Sequence, residues 1–170
     1  MTASALNPTL GSEPHSAART LPVSRAVLYA TLVLGALDAA DGVVVRGLQG
    51  QNPIQVLQYI ASSLLGARAF SGGLASAGLG LVVHFAIALV VAAIYILASR
   101  RVAVLRTQWV LLGLLYGAAV WTVMNLLVLP LTAVAHSPIT TAALVSGVIG
   151  HALFVGLPSA FFAKKVLATA

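Results

Sequence analysis

The sequence predicts an all-α membrane protein, a four-helix transmembrane bundle with a short amphipathic helix in the outer loop between spans one and two. Three observations predict it. Of 170 residues, 60% are hydrophobic and only 7% charged, against about 25% charged in a soluble domain. The apolar residues fall into four runs, each near or above the roughly 20 residues that cross about 30 Å of hydrocarbon at ~1.5 Å per residue. The basic residues stand at the ends of those runs, where membrane proteins place Lys and Arg. A soluble chain this apolar would expose large adhesive patches. The net charge is +6, but no soluble basic domain carries it, which argues against nucleic acid as a partner and for the lipid bilayer. With no cysteine in the chain, disulfides, iron–sulfur clusters and thiolate catalysis are excluded.

Residues 1–22 are rich in Ala, Ser, Thr, Pro and Gly and show no apolar period. They read as a disordered cytoplasmic tail, followed by a single transmembrane domain over residues 23–166. The run after Arg25 reads as a retained anchor rather than a cleaved signal. Asp38 and Asp41 interrupt its far end, and no small-x-small cleavage site fits around Leu37, Asp38 and Ala39. The spans fall at about residues 26–45, 74–97, 109–131 and 139–163. Pro130 and Pro138 sit at the exit of span three and the entry of span four, leaving the interiors intact. Pro158 lies inside span four and is expected to kink it or end it early.

The connection over residues 47–73 is longer than a hairpin needs. Asn52-Pro53 is a helix start, with Asn as cap and Pro in the first turn, and Gly66 a helix stop. Between them Ile54, Leu57, Ile60, Ala61, Leu64 and Leu65 share one face, and Gln55, Gln58 and Ser62 another. The expectation is a surface helix too short to span, a lid that hides its apolar side against the bundle.

Orientation follows from the basic residues. Arg19, Arg25, Arg100, Arg101, Arg106, Lys164 and Lys165 flank the spans on one side, and Arg46 and Arg68 on the other. The richer side is expected to be cytoplasmic. Tyr29, Tyr95 and Trp109 fall near that same face. An even number of spans then leaves both the N-terminus and the C-terminus in the cytoplasm.

The acidic residues number three: Glu13, Asp38 and Asp41. Two of them lie in span one, three residues apart and hence on neighbouring positions of one face. His84 in span two, Asn125 in span three and His151 in span four are the other polar residues singled out. An ionisable group in hydrocarbon costs at least ~2.5–3.5 kcal/mol, so such groups turn toward the bundle interior or water. Counting ~1.5 Å per residue puts Asp41 about 6 Å below the outer face, Asn125 about 9 Å, Asp38 about 10 Å, His84 about 15 Å and His151 about 18 Å. Small residues mark the same faces at intervals of four: Gly80, His84, Ala88 and Ala92; Gly113, Gly117, Trp121 and Asn125; Ala143, Gly147 and His151. The five polar residues are therefore expected to converge. Helix-to-helix glue is the simpler role for Asn125. It weighs evenly with function for each His and less for Asp38. Asp41 is shallow enough for hydration and for pairing with Arg46 or Arg68. Gly80-Leu-Val-Val-His84 and Gly147-Val-Ile-Gly-His151 also form a faint internal repeat.

Leu37–Ala39, the run 53–66 (Pro-x-x-x-Leu-Gln-x-Ile-Ala-Ser-x-Leu-Leu-Gly), the Phe-x-Gly-Gly turn at 70–73 and the Leu-x-x-His-Phe-x-Ile-Ala stretch at 81–88 carry a resemblance. Over more than half its length the chain resembles a family of small, uncharacterised four-span bacterial inner-membrane proteins, and more loosely the YagU-type proteins. The resemblance implies a bacterial inner membrane. It implies no catalytic residue.

These readings favour a protein that binds or conducts a small solute, ion or proton through an intramembrane polar site, with Asp38 above His84 and His151 in a pocket open to the outer side. Four spans are few for a transporter, which implies a homo-oligomer or a membrane complex. The alternative is a non-catalytic accessory or stress-related membrane protein. A weaker one is b-type haem held by two histidines, or a metal held by these and Asp38; no cofactor is assigned and the metal is left unknown. An enzyme is not expected, since no matched Ser nucleophile, His-Glu-x-x-His motif or phosphate loop is present, and Ser146 and His151 lie on different sides of their helix.

Overall fold

The computed structural model describes residues 21–135 and 138–166. The expected tail lies outside these apart from Leu21 and Pro22. Four helical segments are long and apolar enough to cross a membrane: Val23–Gly47, Gly73–Arg101, Trp109–Leu131 and Thr141–Lys164. At ~1.5 Å per residue they are roughly 35–44 Å long. No strand occurs among the described residues; a single bridge pairs Leu21 with Val166. There Leu21 N–H donates to the Lys165 carbonyl at 2.7 Å. The two ends of the bundle sequence thus lie side by side, as an even number of crossings requires.

Helix α1 (Val23–Gly47) starts at Pro22, whose missing N–H costs nothing at a helix start. Its first half builds the dry core. Ala26, Ala30 and Leu34 meet Ala88, Ala92, Tyr95 and Ile96 of α3 (Gly73–Arg101) and Val155, Ala160 and Ala163 of span four. Alanines at intervals of four bring the backbones close, which is how helices associate in a solvent that gives no hydrophobic drive. Two tyrosines tie this region to its surroundings. Tyr116 O–H donates to the Val91 carbonyl at 2.7 Å, and Tyr95 O–H donates to the Leu105 carbonyl at 3.0 Å, in the turn that includes α4 (Val104–Thr107).

Helix α2 (Pro53–Leu65) forms where the sequence places it. Asn52 and Gln55 cap one another reciprocally, Pro53 opens the first turn, and Gly66 ends the helix at φ +57°. Its orientation corrects the sequence reading. Val56, Gln58, Ala61 and Ser62 are buried, while Ile54, Leu64 and Leu65 are exposed. Gln58 turns inward because it finds partners: its amide donates to the Gly73 carbonyl at 3.1 Å and the Ser76 hydroxyl at 3.3 Å. The side that packs is therefore mixed: Gln58 and Ser62 are buried together with Val56 and Ala61, while Gln55 stays exposed at the cap. The helix lies against the first two turns of α3, so closely that a Cβ on Gly80 would strike the Leu57 carbonyl. The Ala133 N–H donates to the Ser63 carbonyl, joining α2 to the exit of span three.

Span three is α5 (Trp109–Val123), continued by a π-helical stretch Met124–Val128 and the 3-10 turn Leu129–Leu131. Span four is α6 (Thr141–Gly150), a π-helical stretch His151–Gly156, and α7 (Leu157–Lys164). Pro158 therefore does not end span four early. Each π stretch runs up to a proline, Pro130 or Pro158. A proline has no N–H for the carbonyl four residues back and its ring crowds that carbonyl, so the helix widens by one residue there. The widened turns close through Leu129 N–H to the Met124 carbonyl and Leu157 N–H to the Ala152 carbonyl. Spans three and four touch backbone to backbone: a Cβ on Gly117 would meet the His151 carbonyl, and one on Gly156 the Gly113 carbonyl.

Candidate functional site: a carboxylate between two imidazoles

Above the alanine core, on the side away from the Leu21–Val166 bridge, the bundle interior turns polar. Asp38 follows Leu34 and Gly35 by one turn on the buried face of α1. His84 comes one turn before Ala88 on α3, and His151 opens the π-helical stretch of span four. Asp38 Oδ2 lies 4.0 Å from His84 Nδ1, and Asp38 Oδ1 lies 3.8 Å from His151 Nδ1. The side chains are 22%, 11% and 23% exposed in that order. One carboxylate thus stands between imidazoles from two other spans.

The backbone fixes the protons on both rings. His84 Nε2 lies 2.8 Å from the Gly35 carbonyl. A carbonyl only accepts, so Nε2 carries hydrogen. Neutral His84 then has a bare Nδ1, and that atom faces Asp38. Two lone pairs confront each other across 4.0 Å, beyond direct hydrogen-bond length, a gap that one water donating to both groups would span. In the same way His151 Nδ1 lies 3.1 Å from the Gly147 carbonyl of its own helix and donates to it. The two glycines that precede these histidines by four share a packing role. Gly80 lies under α2, and Gly147 lies under the Trp121 indole. Phe85 stands edge-on to the His84 ring, 5.4 Å between centroids, and its own ring covers Gly35.

Asp41 belongs to the neighbourhood of this cluster. Its Oδ2 would be 2.6 Å from a Cβ on Gly150, so the carboxyl group lies over that glycine. Asp38 and His151 are within its electrostatic reach. Among the described residues no ion pair joins Asp41 to Arg46 or Arg68. Arg46 instead places its guanidinium 3.8 Å over the Tyr59 ring of α2. Asn125 stands apart: it lies in the π-helical stretch of span three, and its amide donates to the Trp121 carbonyl of its own helix at 2.9 Å. No hydrogen bond from Asn125 to Asp38, His84 or His151 occurs.

The geometry constrains cofactor chemistry. Among the described residues no group of three or more His, Asp or Glu side chains is arranged to hold a metal ion. His84 Nε2 is engaged by Gly35 and both Nδ1 atoms face one carboxylate, so the rings do not offer opposed nitrogens to a shared haem iron. The groups present hold, donate and accept protons. Gly35, Gly147 and Gly150 are the participants that sequence reasoning missed as partners. The first two act through carbonyls, which carry no residue signature.

Four apolar crossings around a carboxylate–imidazole cluster define the class, an all-α integral membrane protein with an interior polar site. Compared with family models, with curated proteins and with solved structures, the chain matches none.

Proposed function

We propose that Asp38 and His84 share an exchangeable proton and that the protein binds or conducts a proton, or a small ion or solute coupled to one, through this site. The observation that carries the reading is the bare His84 Nδ1 held 4.0 Å from Asp38 Oδ2 by the Nε2–H bond to Gly35. The titratable groups facing Asp38 are His84 from α3, His151 from span four and Asp41 from α1 itself. Carboxyl and imidazole groups are the side chains suited to proton exchange, and here two imidazoles flank one carboxylate. Burial in a bundle is costly for such groups, which favours a working role over structural glue. We place the basic end, with Arg25, Arg100, Arg101, Arg106, Lys164 and Lys165, in the cytoplasm of a bacterial inner membrane, which leaves Asp41 and α2 on the outer side.

The experiment is proton flux into vesicles loaded with a pH-sensitive dye, driven by an imposed membrane potential. The native chain is expected to admit protons, and Asp38→Asn to fall to the level of protein-free vesicles. Equal flux in the native chain and Asp38→Asn would remove the conduction reading. A proton-binding role would then rest on histidine titration alone.

A further inference from the structure

On its lipid-facing flank, where α1, α5 and span four meet, the bundle carries an apolar groove of about 350 Å³. Leu153, Leu157 and Phe161 line it at intervals of four along span four, with Val33 on one wall and Trp109 on another. From Leu153 to Phe161 it extends about 12 Å along the helix axis. Its walls are hydrocarbon and aromatic from the bundle middle to the basic end.

Two cations close that end, each resting on an aromatic wall of the groove. Lys164 Nζ lies 5.0 Å from the Trp109 ring centroid, and Lys165 Nζ 5.2 Å from that of Phe161. Trp109 and Phe161 stand edge to face at 6.1 Å, so the rings that carry the two ammonium groups are direct neighbours. The carboxylates among the described residues, Asp38 and Asp41, are in the opposite half of the bundle. No described acidic group opposes an anion at this end.

We propose that this groove binds one anionic glycerophospholipid, with an acyl chain along Leu153, Leu157 and Phe161 and the phosphate on Lys164 and Lys165. The apolar length suits a chain, and the paired ammonium groups suit a phosphate. Trp109 supplies an indole N–H at headgroup depth, where amphipathic rings belong. A zwitterionic lipid fits the hydrocarbon part equally well but brings its own cation to the lysines, so selectivity resides at the Lys164–Lys165 end. The site is independent of the Asp38 cluster.

The test reads the quenching of Trp109 by brominated lipids in Trp121→Phe, where Trp109 is the one remaining tryptophan. Brominated phosphatidylglycerol is expected to quench it with a binding preference of about fivefold per lysine over brominated phosphatidylcholine. Lys164→Gln/Lys165→Gln should erase the preference, and Arg100→Gln/Arg101→Gln, which removes two charges at the same end, should leave most of it. Equal quenching by both lipids would overturn the proposal. So would equal loss in the two double variants, which means diffuse surface attraction only. If Trp121→Phe does not fold, mass spectrometry of the native chain and of Lys164→Gln/Lys165→Gln in mixed lipid micelles counts retained phosphatidylglycerol. One lipid on the native chain and none on the variant supports the site, and the same count on both overturns it.

Discussion

His84 donates its Nε2 proton across the helix interface to the Gly35 carbonyl at 2.8 Å, and that bond decides which ring nitrogen faces Asp38. Nitrogen NMR of histidine-labelled protein should therefore show Nε2 protonated throughout the titration, with Nδ1 as the atom whose signal moves. Movement at Nε2 with a fixed Nδ1 would reverse the assignment.

Asp38→Asn should separate stability from proton exchange. The asparagine amide can donate to the bare His84 Nδ1, so the fold keeps its contact and stability should change by no more than about 1 kcal/mol. Proton flux should fall to the protein-free level, because no carboxylate remains at that position. Unfolding in graded detergent mixtures measures the first quantity and the vesicle assay the second.

Two single methyl additions should differ in kind. Gly117→Ala drives a Cβ into the His151 carbonyl, which is backbone and cannot rotate away, so spans three and four must separate at a cost of about 1–3 kcal/mol. Gly150→Ala meets only the Asp41 carboxyl tip. That tip can rotate away, so stability should fall by less than about 1 kcal/mol while Asp41 leaves its seat. Thermal unfolding of both variants in one detergent compares them directly.

Tyr116→Phe deletes the O–H that joins span three to the Val91 carbonyl of α3. Hydrogen bonds between membrane helices average about 0.6 kcal/mol with a maximum near 1.7, and a loss in that range is expected. The ring, 4.9 Å from Tyr95 between centroids, keeps its packing. A double-mutant cycle with Tyr95→Phe should show little coupling, since each hydroxyl bonds a different carbonyl.

Pro158→Ala restores the N–H that the π-helical stretch His151–Gly156 lacks. The span is then free to close as regular α-helix, which favours the helix by up to about 3 kcal/mol. The same change turns His151 relative to Asp38. The expected outcome is a more stable protein in which the 3.8 Å Asp38–His151 separation changes, read from NMR distances between labelled Asp38 and His151.

Much of the architecture was legible in composition and spacing. Apolar run lengths located four spans to within a few residues, and Asn52-Pro53 and Gly66 located α2, because caps and breakers act locally. The face of α2 was misread for a physical reason. Amphipathic logic sorts residues by polarity alone, whereas Gln58 is drawn inward by its partners on α3 and Leu64 and Leu65 are left exposed. Within the site, the four-residue stripes marked the helix faces on which His84 and His151 meet Asp38. The same stripe placed Asn125 on a packing face, yet its amide returns to Trp121. A stripe gives a face but not a rotamer. The π-helical turns were out of reach as well: Pro158 signalled a disturbance, but whether a helix bends, stops or widens depends on what is packed beside it.

The Leu21–Lys165 bond has a bearing on how the molecule is made. A ribosome delivers span one long before span four, so Asp38 enters the bilayer while His151 is still untranslated. Until the last crossing is made, that carboxyl group lacks one of its two imidazoles, and the pairing of Leu21 with Val166 is available only to the completed chain.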